Sequence, residues 1–473
     1  MKINRLCKIV ATLWPSISFK WVLKQIDKYV DIYKISLSSN DLFKTRQIIK
    51  TIRDINIKKV FMLDIKWPEI KTTNEENVKL KKWKIVKIYN KQTSNEISLE
   101  YELFSNIPKN IKIFFWNWNV IWQIISNNWN FLEIKIEKWW TIRPNQHVYF
   151  DWYRNEINFL TQKDKEDIKF WVEEKIALLT TSFIKSSDEV IKLRNYIKNN
   201  YNYEIKIIPK IETFSAINNI DSIIKMSDWI MLTEIWSWEK KVNIIELSKI
   251  QSEIIKKCNL AGKPVILATQ IAPSMVKNKM PTRDEIDKIV FNMQNWIDVF
   301  TLSDETVIWK HPVDTLKILD EIIKKYQQEV HLKLVWDDIK NYVDKENEIT
   351  DYIIYNAKKM AYKLWVKFII TPTSTWYTTA RISSLKPNIP VIAFTDNDKV
   401  FKYCNLMFWT YVHKISTENM EYNNFKKTVW ETLQKDYRWK IKWEDTILIV
   451  HSSKNWNIQH MINWIEIIKF KDL

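Results

Sequence analysis

The sequence predicts an α/β fold built on a (β/α)₈ barrel. Two observations lead there: eight short apolar runs with no polar alternation, and amphipathic helical segments between them. Strands that are apolar throughout are covered on both faces, as in a parallel sheet wrapped by helices. Eight such units suit a closed barrel. The runs are KIVATL (8–13), DIYKISL (31–37), KVFMLDI (59–65), KIALLTTSF (175–183), IKIIPKIE (205–212), DWIMLT (228–233), KPVILATQ (263–270) and IDVFTLS (297–303). Helices are expected over 41–56, 186–199, 213–226, 239–260, 283–295 and 313–327.

Between the third and fourth runs the texture changes. KIVKIYN, IKIFF and FLEIKIE are short strands divided by Asn- and Trp-rich turns, and read as a small all-β domain set into a barrel loop. After residue 330 a helix over 349–364, the strand KFIITPT, a helix over 377–385, and the strands PVIAFT and DTILIVHS describe an open-sheet α/β domain. The expected domains are a barrel over 1–72 and 163–330, an insert over 73–162 and a C-terminal α/β domain over 331–473.

The chain has 26 Trp and one Gly, Gly262, in 473 residues. Glycine at its usual share of about 7% would number close to Trp and Gly together. The tryptophans also occupy glycine-like places: Trp118 in WNWN, Trp139 and Trp140 before TIRPN, Trp376 in PTSTWYT. In FMLDIKWPEI, Trp67 stands in a turn before Pro68. Turns and helix C-caps need positive φ or no side chain, which glycine supplies. We read most of these positions as UGA codons, translated as glycine in some bacterial lineages. The alternative is a truly Trp-rich protein with large side chains on its turns.

The formal net charge is +17. The lysines are spread evenly, and no nucleic-acid-binding signature accompanies them, so an anionic small substrate is the better partner than a specific nucleic acid. Cys7, Cys258 and Cys404 form no spaced pair, so neither a disulfide framework nor a zinc site is implied. No 18-residue apolar run or signal peptide is present, and a cytoplasmic protein with no membrane partner is expected.

In a barrel of this kind the site lies at the C-terminal strand ends. Those ends carry Lys34, Ser36 and Ser38; Asp64 and Lys66; Ser182 and Lys185; Lys210 and Glu212; Thr233 and Glu234; Thr269; and Ser303. Cations, a few carboxylates and hydroxyls, without Cys or His, suit a phosphorylated anion with a hard metal ion. They do not suit a nucleophilic hydrolase. No phosphate loop of the GxxxxGK[ST] type survives even with Trp read as Gly.

Longer stretches carry a resemblance. KIVATLWPSIS, MLDIKWPEIK, TQKDKEDIKFW, IIPKIET, KPVILATQIAPSMVKNKMPTRDEIDKI and LSDETVIWKHPV resemble, in this order, motifs of the pyruvate kinase family. The ATQ…PTR block is the most specific. Trp14, Trp67, Trp171, Trp229, Trp309 and Trp376 fall where that family has glycine. The resemblance implies transfer of a phosphoryl group from phosphoenolpyruvate to ADP, giving pyruvate and ATP, with Mg²⁺ and K⁺ as cofactors. It implies that the insert is a lid shaped as a small β-barrel, that the C-terminal domain is regulatory, and that the chain is a homotetramer.

By the same resemblance Lys210 faces the moving phosphoryl group, Glu212 holds Mg²⁺, and Thr269 belongs to the proton relay and the substrate site. Ser36, Ser38, Asp64 and the carbonyl of Ile65 match the K⁺ site, and Glu69 goes with K⁺ dependence. Lys34 and Lys71 stand where the family has Arg, which keeps the charge and loses the bidentate fork. Lys163 matches a lid lysine that reaches nucleotide phosphates, and Ser182 with Lys185 a strand-end motif. TPTSTWYT resembles a loop that holds a sugar-phosphate effector. Departures are concentrated in TEIWSW (233–238): the family's second magnesium carboxylate falls on Trp236, with Glu234 and Ile235 before it, so Glu234 is the alternative Mg²⁺ ligand and the amides of Ile235 and Trp236 the substrate-carboxylate site. SLSSN and WNW also depart. A catalytically impaired relative that binds phosphoenolpyruvate or nucleotide as a sensor stays open on these residues.

Overall fold

The computed structural model describes residues 5–13, 17, 19–36, 41–65, 71–89, 97–99, 112–115, 120–128, 130–136, 139–144, 146, 148–150, 160–233, 244–307, 311–329, 347–416, 422–438, 440–452 and 463–473. Eight parallel strands close into a barrel in sequence order. They are Lys8–Leu13, Ile32–Ser36, Val60–Ile65, Leu178–Thr181, Lys206–Ile211, Ile230–Leu232, Val265–Ala268 and Val299–Leu302. The eighth strand pairs with the first, Lys8 opposite Val299, and closes the ring. All eight expected runs are barrel strands; the first keeps its full span and the other seven are shortened.

The expected helices are present, with residues 239–243 of the fourth outside the described residues, and Lys20–Ile26 and Gln162–Glu173 are helices that were not expected. The segment 213–226 forms two helices, Phe214–Asn218 and Ile220–Met226. Asn219 ends the first and starts the second, and the Thr213 hydroxyl caps the first by accepting the Ala216 N–H. After the seventh strand, Thr282 and Glu285 form a reciprocal capping box at the start of Arg283–Gln294.

The described residues between 66 and 166 form a compact unit of their own. Its main sheet has six strands and is largely antiparallel, with Ile85–Tyr89, Lys112–Phe115, Val120–Asn127 and Phe131–Ile136 among them. Ile88, Ile113, Ile124, Leu132 and Ile134 fill its core. The C-terminal sheet has five strands in the order Thr410–Lys414, Val391–Thr395, Ile369–Pro372, Thr446–Ser452 and Asn463–Lys469, the last antiparallel. A buried ion pair, Lys386 to Asp298 at 2.6 Å, ties this domain to the barrel.

The backbone bears on the tryptophans. Trp83, Trp296, Trp365, Trp376 and Trp409 all have positive φ, which a bulky residue adopts only under strain. Trp296 and Trp365 each follow a helix C-cap and close a Schellman turn. Trp296 donates to Met293 O and Ile297 to Asn292 O; Trp365 donates to Tyr362 O and Val366 to Ala361 O. Gly262 closes the same turn after Ile244–Leu260, donating to Asn259 O, with Lys263 donating to Cys258 O. Two indoles thus stand where the chain's one glycine stands. Trp171 is fully buried, and its indole N–H has no hydrogen-bond partner, although a buried indole usually finds one.

Candidate functional site

The polar residues that end the second to fifth barrel strands converge on Asp64. Adjacent parallel strands place Ser36 opposite Asp64 and Asp64 opposite Thr180. Lys210 lies one strand further on, with its Nζ 2.7 Å from Asp64 Oδ1. Lys34 reaches Asp64 Oδ2 at 3.2 Å. The Thr180 hydroxyl donates to Asp64 Oδ1 at 2.9 Å, and Lys210 donates to Ser182 Oγ at 3.0 Å. Burial alone raises the Asp64 carboxyl, but the ammonium groups of Lys210 and Lys34 outweigh it, and hydrogen bonds from Lys210 and Thr180 add to them; together they hold it at about 2. It is therefore an anion at any physiological pH, and it orders two cations into one place.

Glu212 follows the same strand as Lys210, is buried, and accepts the Phe183 N–H at 2.7 Å. That bond fixes the carboxylate against the loop that carries Ser182. Thr269 follows the seventh strand with φ +69, and Gln270 after it has φ +47. The Thr269 hydroxyl donates to the Ala268 carbonyl at 2.6 Å. Its backbone holds the sparsely populated left-handed region that clusters at functional sites.

Glu305, which the sequence reading passed over, holds that loop. Its carboxylate accepts the N–H groups of Ile271 and Ala272 at 3.1 and 3.2 Å and of Ser303 at 2.9 Å. It is buried, so one acid pins the ends of the seventh and eighth strands together. Neither acid of LSDET carries such a signal; only the closure of the barrel brings 271 and 305 together.

Of the other expected residues, Ser36 and Ile65 lie at the rim of the second and third strands, Ser182 is buried beside Lys210, and Lys185 is exposed. Thr233 is buried and follows the sixth strand. Lys71 and Lys163 belong to the inserted unit. Ser38, Lys66, Trp67, Glu69, Glu234, Ile235 and Trp236 lie outside the described residues.

Among the described residues no group of three or more His, Cys, Asp or Glu side chains could hold a metal by itself. The buried carboxylate of Glu212 is a hard oxygen donor, and Mg²⁺ needs only one or two carboxylates when substrate oxygens and water complete its shell. Asp64, the Ser36 hydroxyl and the Ile65 carbonyl are likewise all oxygen donors. The residues therefore fit hard cations.

A family model for the pyruvate kinase barrel domain matches residues 4–316, and one for the pyruvate kinase alpha/beta domain matches residues 351–468. Pyruvate kinase of Thermotoga maritima is 27% identical over 414 residues, covering 85% of this chain and 87% of that one. Pyruvate kinase of Borreliella burgdorferi is 25% identical over 480 residues, covering 99% and 98%. The crystal structure of Cryptosporidium parvum pyruvate kinase aligns with a TM-score of 0.88 at 23% identity, over 99% of this chain and 98% of that one, a likeness of fold.

Proposed function

The chain belongs to the pyruvate kinase family and transfers the phosphoryl group of phosphoenolpyruvate to ADP; we propose that the cluster around Asp64 carries that transfer. The P–O bond to the enolate breaks, a P–O bond to the β-phosphate of ADP forms, and the enolate takes a proton at carbon to become pyruvate. Such a step needs positioning and charge neutralisation more than covalent chemistry. The observation that carries the assignment is the convergence of Lys210 and Lys34 on Asp64, at 2.7 and 3.2 Å.

Lys210 is the cation for the moving phosphoryl group and for the charge that develops on the enolate oxygen. Asp64 holds its ammonium in place. Lys34 adds a second positive charge for a substrate phosphate oxygen. Thr269, with its hydroxyl at the end of the seventh strand, belongs to the proton path to the enolate carbon. Ser182 orients Lys210 and lines the substrate site.

The family generally requires metal ions, and Glu212 with Glu234 would hold Mg²⁺, while Ser36, Ser38, Asp64 and the Ile65 carbonyl would hold K⁺. A divalent ion there supplies neutralisation of phosphate charge. By the family resemblance Lys163 would meet nucleotide phosphates, Lys71 would belong to the substrate or nucleotide site, and the amides of Ile235 and Trp236 would meet the substrate carboxylate. The impaired reading has no support among the described residues, because the acid and both cations come together. A homotetramer, a cytoplasmic location and a sugar-phosphate effector at TPTSTWYT complete the proposal. Among the described residues, no helix is long and apolar enough to cross a membrane.

The test is metal removal. Chelation should abolish ATP formation from phosphoenolpyruvate and ADP, and added Mg²⁺ should restore it, with Glu212→Gln requiring at least tenfold more Mg²⁺. Unchanged metal dependence in Glu212→Gln would refute the ligand assignment.

A further inference from the structure

The C-terminal sheet has a second end, opposite TPTSTWYT. There the chain leading into Ile369–Pro372, the chain leading into Val391–Thr395, and the turn after the helix Tyr422–Tyr437 enclose a cavity of about 540 Å³. That size is ordinary for a small-molecule site. Lys367, Arg438, Lys440 and Lys442 line it, and no described lining residue is a carboxylate. Ile389 and Ile441 supply apolar surface.

Asp445 accepts the Lys442 N–H at 2.7 Å, and Glu444 pairs with Lys469 and Lys471 at 3.2 and 2.9 Å. Partial burial, and next the charge of Lys367, pull the Lys440 ammonium below the usual lysine range. Like charges gathered in a cavity repel one another, and a bound dianion relieves that repulsion. The guanidinium of Arg438 adds a planar fork matched to phosphate oxygens. Trp409 also lines the cavity and has φ +42. Glycine there would widen the cavity and leave the four cations in place.

We propose that this cavity binds a phosphorylated small molecule, its phosphate among Lys367, Arg438, Lys440 and Lys442 and its uncharged body against Ile389 and Ile441. The site is separate from the barrel rim and from TPTSTWYT. The probe is phenyl phosphate, titrated calorimetrically into the full chain with saturating phosphoenolpyruvate to occupy the rim. At least one site should be seen, with a phosphate site at TPTSTWYT able to add a second that the double variant leaves unchanged. Lys367→Gln with Lys442→Gln should weaken the cavity site at least tenfold, and Lys249→Gln, an exposed helix lysine, should leave it unchanged. Circular dichroism and turnover without phenyl phosphate should match the parent chain in both variants. No binding beside phosphoenolpyruvate, or no site weakened in the double variant, overturns the proposal.

Discussion

Replacing Asp64 with Asn removes the charge on which Lys34 and Lys210 converge and keeps the shape. The carboxyl is depressed from 3.8 to about 2 in the folded chain. A depressed acid stabilises the fold above its unfolded pKa and loses that contribution as pH falls through the folded value. From those two values, linkage gives about 2.4 kcal/mol at pH 5, about 1.3 at pH 3 and about 0.4 at pH 2. The stability gap between the parent chain and Asp64→Asn should therefore shrink by about 1 kcal/mol from pH 5 to pH 3. Other carboxylates titrate in both proteins and cancel in the difference. Urea denaturation followed by far-UV circular dichroism at the two pH values measures it. A gap that stays constant, or widens on acidification, would refute the claim that the lysines hold Asp64 ionised.

Trp365 is 87% exposed with φ +54 at its Schellman turn. Trp365→Gly should raise stability by about 1 kcal/mol, since a non-glycine residue there costs roughly 1–3 kcal/mol; a lower urea midpoint would contradict the glycine reading of that position. Gly262→Ala should do the reverse. Its Cβ would lie 2.7 Å from Arg381 Cδ at φ +71, where Arg381 pairs with Asp351 at 2.9 Å and donates to Leu260 O. A loss of about 2 kcal/mol or more is expected from strain and overpacking together, and an unchanged midpoint would show that Arg381 yields freely.

The barrel was legible because each strand is a short apolar run, and burial on both faces demands that. Asp64 and Lys210 were legible as strand-end polar residues, but not as a pair. Their contact depends on three neighbouring strands, and no local pattern encodes it. Glu305 was missed for the same reason. The break at Asn219 was invisible because apolar spacing continues across it from Ala216 to Ile220 and Ile223. The left-handed backbone of Thr269 was not legible either, since it belongs to the loop that Glu305 holds. The tryptophans announced themselves by count, and the positive φ of Trp296 and Trp365 gives that count a place in the backbone.

The most direct test of the account is the rate of ATP formation by Lys210→Met, in protein made with glycine at the tryptophan positions read as UGA. Losing a preorganised charge at the transferring group should lower kcat by about 10²–10³, with little change in the KM for phosphoenolpyruvate. A variant that turns over within tenfold of the parent would mean that the cation beside Asp64 is not the one that meets the phosphoryl group.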